Sequence, residues 1–244
     1  MPGPDHSTLL TATGLAAVAG GLLTGSALSL LHPRANIFGP IVWRGPSTRT
    51  SVALTFDDGP EPRHTDRIAR ILDAHGVKAT FFCIGQKVAL HRATAAALVH
   101  SGHELDNHTY SHGLGRHLFS ATRLREDLQR CQDVLESLSG RVPTYYRPAV
   151  GLRNPPVHSA ARYLKLTIVT WTHSARDGAL AFTPRRALKL ADRAVAGNIL
   201  ALHDGQLHGR ASLREETVRH LPLLLTRLRE RGFKFETLTE LLSG

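Results

Sequence analysis

The chain has 244 residues, of which 42% are hydrophobic and 20% are charged, and its formal net charge is +10. This composition excludes a disordered protein and leaves room for one substantial domain with its own core. The basic residues are scattered among acids and no nucleic-acid-binding motif accompanies them, so we expect no nucleic acid partner. The excess positive charge favours anionic neighbours such as lipid headgroups or acidic envelope polymers. The spacing of Cys83 and Cys131 indicates neither a zinc ribbon nor a disulfide framework.

The first residues differ in character from the rest of the chain. Residues 7–31 carry no charge and are numerous enough to cross a bilayer. A cleaved signal peptide would need a basic segment before them, and none is present, so we predict an uncleaved transmembrane helix as a membrane anchor over residues 1–31. Residues 32–50, rich in Pro, Gly and Arg, are predicted to be a linker. Arg34 and Arg44 point the domain to the cytoplasm by the positive-inside rule, but so few charges leave its side of the membrane open.

Beyond the linker, short runs typical of β-strands alternate with helical patterns. The strand-like runs are SVALTF, KATFFCIG, HELDNH, TYYRPA, LTIVTW, NILALHD and FKFETL. The helical patterns cover Thr65–His75, Lys87–Ser101, Ala121–Leu138, Pro155–Leu164, Pro184–Ala196 and Leu213–Arg231. Seven strands alternating with six helices predict an α/β domain of parallel units, built as a barrel or as an open doubly wound sheet. The sequence contains no GxGxxG motif and no P-loop, which disfavours nucleotide-binding versions of these folds.

Residues suited to metal binding or catalysis follow the predicted strands, at the point where each strand ends. They are Asp57 and Asp58 after the first strand, His108 after the third, Arg147 after the fourth, Trp171 after the fifth, and His203 and Asp204 after the sixth. In a β/α barrel these strand ends open on one common mouth. His112 lies four residues beyond His108, a spacing at which two imidazoles can bind one metal ion. One Asp and two His ligands leave a coordination position open, which is typical of catalytic zinc.

The stretches TFDDGP, HTYSH, RPAVG and LHD, in this order, resemble the motifs of carbohydrate esterase family 4, the polysaccharide deacetylase family with the NodB homology domain. The resemblance covers residues 51–241, nearly everything beyond the predicted anchor and linker. It implies a distorted (β/α) barrel of about seven parallel strands, in agreement with the strand count above. It also implies a metal-dependent hydrolase that removes N-acetyl groups from amino sugars, with zinc as the expected divalent ion.

The resemblance implies roles for the residues of the first motifs. Asp58, His108 and His112 would bind the metal ion. Asp57 would be the general base that takes a proton from the attacking water. Arg147 would pair with Asp57 and keep its carboxylate ionised and oriented, because an adjacent cation favours the charged form.

The later motifs supply the remaining roles that the resemblance implies. The backbone N–H of Val150 would stabilise the oxyanion, and Leu202 would line the slot for the acyl methyl group. His203 would protonate the departing amine, with Asp177 as the candidate that keeps its imidazole charged. The chain departs from the family at two aromatic positions. RPAVG places Val150 where RPPYG is usual, and Gly178 follows Asp177 where the family usually has Trp.

These departures bear on the substrate. Trp171 is a candidate replacement for the missing aromatic walls, with packing in the core as its alternative role. Losing two aromatic platforms weakens the case for a long neutral sugar chain such as chitin. The leading hypothesis is a deacetylase of an amino sugar in a cell-envelope glycan, anchored to the membrane. The alternatives are a deacylase or deformylase of a lipid-linked amino sugar, a hydrolase of O-acetyl esters, and a binding module without turnover, which the complete set of site residues disfavours.

Overall fold

The computed structural model of the chain describes residues 34, 36–113, 115, 119–206 and 211–243. The strands within them are β1 (Ser51–Asp57), β2 (Thr80–Cys83), β3 (Glu104–Asn107), β4 (Tyr145–Tyr146), β5 (Thr167–Ile168), β6 (His173–Ser174), β7 (Asn198–His203) and β8 (Lys234–Phe235). The helices are α1 (Pro62–Ala74), α2 (Gly85–Leu90), α3 (Arg92–His100), α4 (Ala121–Ser139), α5 (Pro155–Tyr163), α6 (Pro184–Arg193), α7 (Ala211–Glu230) and α8 (Leu238–Leu242). A single turn of 3-10 helix covers Ala149–Gly151.

The predicted α/β architecture with a parallel sheet is confirmed. Strand order across the sheet is β5-β4-β3-β2-β1-β7-β6, with β8 pairing with the first residues of β1. Each of these strand pairs is parallel. The central strands β1 and β7 pair continuously, ending where Asp57 lies opposite His203. The sheet forms a half-barrel, so the carboxyl ends of its strands surround one mouth.

Residues 42–45, inside the predicted linker, pair with the edge strand β5 and with the start of β7. The N–H of Val42 donates to the carbonyl oxygen of Ile168 at 2.8 Å, and the N–H of Thr170 donates back to Val42 at 2.8 Å. On the other side, the N–H of Gly45 donates to the carbonyl oxygen of Gly197 at 2.7 Å. This part of the predicted linker therefore bridges the gap between β5 and β7 and belongs to the folded domain.

Three local differences from the sequence patterns have simple causes. The predicted helix 87–101 is divided into α2 and α3, because the backbone of His91 leaves the helical region with φ −119° and ψ 47°. The last strand-like run pairs only over β8. After it, Thr237 and Glu240 form a capping box that starts α8, with the carboxylate of Glu240 accepting from the N–H of Thr237 at 2.8 Å. The two-residue strand β6 is too short to have produced a pattern.

Alternation of side chains along the strands separates two hydrophobic clusters. In β1, Leu54 and Phe56 pack in the larger cluster, which includes residues of the surrounding helices, while Ala53 packs in a smaller cluster on the opposite face. In β7, Leu202 belongs to the larger cluster and Ile199 to the smaller one. Because successive side chains of a strand point to opposite faces, Asp57 and His203 share the face of the smaller cluster.

Among the residues that the structure describes, no helix has the length and apolar character needed to cross a membrane. The predicted anchor over residues 1–31 lies outside the described residues.

Candidate metal centre and active site

Three side chains converge at the mouth, where β1 and β3 end. The Nε2 atoms of His108 and His112 each lie 3.3 Å from Oδ1 of Asp58, and the three donor atoms are within 4.8 Å of one another. Ligand-to-zinc distances of about 2 Å place neighbouring donors of a tetrahedral site about 3.3 Å apart. The donor types and their separation therefore fit one divalent ion held by these three residues.

The protonation states of two of these groups suit metal binding. Burial disfavours the charge of Asp58, but the hydrogen bond and positive charge of His108 hold the pKa of this carboxyl well below its usual range. Burial, followed by the charge of His108, lowers the pKa of His112 to about 4. A metal site requires ionised carboxylates and neutral imidazoles, so Asp58 and His112 are in the required form at neutral pH.

Two of the three candidate ligands have an unusual backbone conformation. Asp58 has φ 74° and His112 has φ 53°, in the left-handed region that residues other than Gly seldom adopt. The Nζ atom of Lys87 donates to the carbonyl oxygens of Asp58 at 2.7 Å and Gln206 at 3.0 Å. The N–H of His112 donates to Oγ1 of Thr109 at 3.0 Å. Conformations of this kind persist where neighbouring groups hold them, and they are concentrated at functional sites.

The two histidines are also oriented by groups outside the cluster. Nδ1 of His108 lies 2.7 Å from the carbonyl oxygen of Arg147, which assigns the ring proton to Nδ1 and directs Nε2 at Asp58. The carboxylate of Asp127 in α4 accepts from the N–H groups of Tyr110 and Ser111, at 3.1 and 3.2 Å. The hydroxyl of Ser111 also donates to Asp127, at 2.8 Å. Asp127 thereby holds the loop that carries His112.

Asp57 and Arg147 form an ion pair on one side of the three candidate metal ligands. Oδ1 of Asp57 accepts from Nη1 of Arg147 at 2.7 Å. The same Nη1 donates to Oγ1 of Thr55 at 2.7 Å, and Nη2 donates to the carbonyl oxygen of Thr170 at 2.9 Å. Arg147 is fully buried, and its guanidinium lies 4.1 Å from the ring centroid of Phe82. Burial lowers the pKa of Arg147 and Asp57 opposes this shift, so the guanidinium stays charged behind a carboxylate that lines the cavity.

His203 and Asp177 form an ion pair on the other side. Here the imidazole lines the cavity and the carboxylate is buried behind it. Nδ1 of His203 lies 2.8 Å from Oδ1 of Asp177, whose side chain is fully buried. Asp177 also accepts from Nη1 of Arg214 at 3.1 Å and from the hydroxyl of Thr217 at 2.9 Å. Burial disfavours the charge of His203, but Asp177 outweighs it and raises the pKa of the imidazole to about 9. Nδ1 is held by Asp177, so Nε2 is the nitrogen available to a group in the cavity.

The turns after β1 and β7 approach each other closely beneath this site. A Cβ atom on Gly59 would lie 1.9 Å from Oδ2 of Asp204, and one on Gly205 would lie 1.9 Å from the carbonyl oxygen of Asp58. The hydroxyl of Thr65 donates to the same Oδ2 of Asp204 at 2.6 Å. Asp204, which the sequence placed at a strand end, therefore joins the two turns and faces away from the cavity, since it is not among the residues that line it.

A cavity of about 550 Å³ is lined by the three candidate metal ligands together with Asp57 and His203. Its apolar wall includes Pro148, Val150, Trp171, Leu180 and Ala201. Gly178 also lines it, and a Cβ atom there would lie 3.0 Å from Nε2 of His203, so the absence of a side chain leaves space beside the imidazole.

The predicted substrate-binding residues have different positions relative to this cavity. Val150 lines it, is 61% exposed and has φ 50°. Trp171 lines it as well and also packs against the smaller hydrophobic cluster, so it combines the two roles considered from the sequence. The prediction for Leu202 is wrong, because this side chain is fully buried in the larger cluster on the opposite face of β7. Its neighbour Ala201 lines the cavity instead.

Several supporting residues were missed in the sequence. Lys87, Asp127, Arg214 and Thr217 each contact a site residue or its loop through a hydrogen bond. All four lie in helices, where a single polar residue looks like any solvent-exposed position. The burial of Asp127 and Arg214, at 3% and 2% exposed, distinguishes them in the structure.

Comparison with known proteins agrees with this geometry. Residues 44–169 match the family model of polysaccharide deacetylases. A peptidoglycan-N-acetylglucosamine deacetylase of Bacillus cereus is 30% identical over 220 residues, which cover 87% of this chain and 98% of the relative.

Two solved structures are similar to most of the chain. The Bc1960 peptidoglycan N-acetylglucosamine deacetylase superimposes with a TM-score of 0.75 at 26% identity, covering 83% of this chain and 92% of the other. A family 4 acetyl xylan esterase from Clostridium thermocellum, solved with a cobalt ion, has a TM-score of 0.69 at 33% identity, covering 78% and 89%. The chain therefore belongs to the polysaccharide deacetylase family, carbohydrate esterase family 4, whose peptidoglycan and chitooligosaccharide deacetylases are hydrolases of the amide bonds in N-acetylated amino sugars.

Proposed function

We propose that this protein is a metal-dependent deacetylase that removes N-acetyl groups from an amino sugar of a cell-envelope glycan. The observation that carries the proposal is the arrangement of one cavity. Asp58, His108 and His112 lie together, with the carboxylate of Asp57 on one side and the imidazole of His203 on the other. Hydrolysis of an amide needs a base for the attacking water and an acid for the departing amine, and these two groups supply them.

Asp58, His108 and His112 would hold the divalent ion, for which we propose zinc. When bound, such an ion polarises the acyl oxygen and makes a neighbouring water more acidic. The solved relative from Clostridium thermocellum contains a cobalt ion. Donors of one carboxylate and two imidazoles suit both metals.

The chain's own residues would move the protons. Asp57 accepts a proton from the attacking water, and Arg147 keeps the carboxylate in position through its 2.7 Å hydrogen bond. The N–H of Val150 donates to the oxygen that becomes negatively charged. His203 gives the proton on Nε2 to the leaving amine nitrogen. Asp177 supports this step because it raises the pKa of His203 to about 9 and so keeps the imidazole protonated at neutral pH.

The substrate class is supported by the relatives and by the composition of the chain. The Bacillus cereus relative is a deacetylase of peptidoglycan N-acetylglucosamine and covers nearly the whole of this domain. We propose a cell-envelope glycan for this chain on that basis, and the net charge of +10 suits an acidic envelope polymer. Attachment to the membrane through residues 1–31, and with it a lipid-linked substrate, stays a prediction. Fractionation of cells expressing the chain with and without residues 1–31 would test it.

Acetate release from a panel of acetylated substrates tests the proposed function. The panel is a peptidoglycan glycan fragment, an N-acetylglucosamine oligomer and an acetylated xylan, each with the purified chain before and after chelation and zinc restoration. We expect chelatable release from the peptidoglycan fragment and none from an Asp57→Asn variant that still binds zinc. A chain that binds zinc but releases no acetate from any amino sugar would contradict the proposal.

The acetylated xylan arm distinguishes a second candidate function. The chain is 33% identical to a family 4 acetyl xylan esterase, and a similar cavity could admit an ester in place of an amide. Release from the xylan at a higher kcat/KM than from the amino-sugar substrates would favour an esterase.

A further inference from the structure

A second cavity, of about 690 Å³, adjoins the one that contains the candidate metal site. Trp171, Ser174 and Arg176 line both cavities, so the two adjoin along β6 and the residues that flank it. The outer wall of the second cavity is formed by one face of α6. A substrate that places its reacting group at the metal site could therefore extend over this face.

The second cavity is lined by positive charges. The cations are Arg176, Arg185, Arg186, Lys189 and Arg193, and no acidic side chain lines the cavity. We call the cavity and these five residues the basic groove. Three of its cations are four residues apart along α6, so they form one stripe on a single face of the helix.

The charge of the basic groove is not balanced by nearby acids. Among the residues that the structure describes, none of its five cations lies within 4.0 Å of a carboxylate. The single acid of α6, Asp192, pairs with Arg227 in α7 at 2.9 Å and does not line the groove. Burial and then the charges of Arg34 and Arg193 lower the pKa of His173, which lies on the groove wall. The pKa of His173 therefore reflects an excess of positive charge around the groove.

We propose that the basic groove binds anionic groups of the glycan substrate, carboxylates or phosphates, next to the amino sugar that is deacetylated. This inference rests on the proposed function and adds the charge of the substrate to it. A neutral sugar chain offers these side chains only hydroxyl and amide groups, which do not need five clustered cations. Arg side chains bind carboxylate and phosphate groups through paired N–H donors, and clustered charge also increases the rate of encounter with an anionic ligand.

Reversing two charges of the stripe tests this inference. The variant Arg185→Glu/Lys189→Glu changes two exposed residues that line the groove but not the cavity of the candidate metal site. The matched control is Arg123→Glu/Arg162→Glu, which makes the same change of charge at exposed positions of α4 and α5 outside both cavities. Circular dichroism, thermal unfolding and zinc content establish that all proteins are folded and loaded.

Kinetics are measured on three oligosaccharides of equal length at low and high salt. They are a neutral N-acetylglucosamine oligomer, one that carries carboxylates on peptide stems, and one that carries phosphate esters. We expect the groove variant to lose about tenfold or more in kcat/KM on one or both anionic oligomers and to keep its activity on the neutral one. High salt should reduce the wild-type preference for the anionic oligomers, because it screens exposed charges. The oligomer that loses most identifies carboxylate or phosphate as the ligand.

Calorimetric binding of the same oligomers provides a measurement that does not depend on turnover. If the wild type hydrolyses the neutral oligomer while the groove variant and the control bind and hydrolyse all three equally, the groove inference is overturned and the proposed function stands. If no oligomer is hydrolysed but the anionic ones bind about tenfold more weakly to the groove variant alone, the proposed function fails and the groove still binds anions.

Discussion

The two sides of the candidate active site contain the same kind of ion pair in opposite orders. On the side of β1, the carboxylate of Asp57 lines the cavity and its cation, Arg147, is fully buried behind it. On the side of β7, the imidazole of His203 lines the cavity and its carboxylate, Asp177, is fully buried behind it. In the proposed mechanism, the member of each pair that lines the cavity decides whether that side accepts or donates a proton. Substitutions on each side test these roles separately.

The largest effect on activity is expected at the three candidate metal ligands, which lie between the two sides. The double variant His108→Ala/His112→Ala removes two of three ligands and should abolish both metal binding and turnover. Wild type should carry about one divalent ion per chain, measured by elemental analysis of dialysed protein. The control His91→Ala/His100→Ala removes two histidines outside the cluster and should retain the ion. Full metal content in the first variant would refute the assignment of the ligands.

On the accepting side, Asp57→Asn keeps the shape of the side chain and removes its charge. Loss of a general base costs on the order of 10² to 10⁴ in rate, so kcat should fall by that factor while the metal stays bound. Asp58→Asn, one residue further, should instead lower metal affinity. Steady-state kinetics with metal analysis of both variants separates the roles, and the opposite outcome would show that base and ligand are exchanged.

On the donating side, Asp177→Asn should lower the rate by about 100-fold or less and change its pH dependence. The acid works only while His203 is protonated, so activity falls as pH rises through the pKa of the imidazole. Asp177 raises that pKa to about 9. Removing the carboxylate lowers it towards its ordinary value of about 6.5, and the basic limb of the kcat/KM profile should move to lower pH.

This variant needs a stability control, because Arg214 is buried beside Asp177. Leaving one partner of a buried ion pair alone costs about 3 to 5 kcal/mol. Unfolding is therefore measured at each pH, and kinetics are taken where the variant is folded. A basic limb at the same pH in wild type and variant would contradict a role for Asp177 in charging His203.

The smallest effects on the rate are expected at Ala201 and Leu202. These neighbouring residues of β7 have side chains on opposite faces of the sheet. Ala201→Leu adds bulk inside the cavity and should lower kcat/KM by about tenfold, equivalent to about 1.4 kcal/mol. Leu202→Ala creates a void in the core and should lower the free energy of unfolding by about 2 to 5 kcal/mol with kcat/KM unchanged in folded protein. Thermal unfolding and kinetics on both variants check this. A reversed pattern would place Leu202 in the substrate slot after all.

The sequence predicted the main elements of this site because parallel strands concentrate their last residues at one mouth. Asp57, His108 and His203 each stand at the end of a predicted strand, and that placement brought them together. The same reasoning failed at Leu202, because a motif gives the order of residues but the face of a strand changes with every position. The residue that lines the cavity is Ala201, one position before Leu202, and Leu202 lies in the core.

Other features of the structure could not be predicted because no pattern in the local sequence indicates them. Residues 42–45 looked like a linker because Pro and Gly are common around them, and their pairing partners lie more than 120 residues away. Arg214 and Asp127 look like ordinary polar positions of amphipathic helices, and only the tertiary structure buries them. The unbalanced charge of the basic groove likewise depends on which helix face meets which loop.

The close packing of the turns after β1 and β7 has a consequence for engineering and for natural variation. Any side chain at Gly59 or Gly205 would collide with Asp204 or with the backbone of Asp58, at distances of 1.9 Å. Libraries that randomise these two positions should yield almost no functional clones, whereas Val150 is exposed at the rim and should tolerate changes in side-chain size. Tolerance to substitution should therefore increase from the floor of the cavity to its rim, and new substrate preferences can arise at the rim without altering the chemistry beneath.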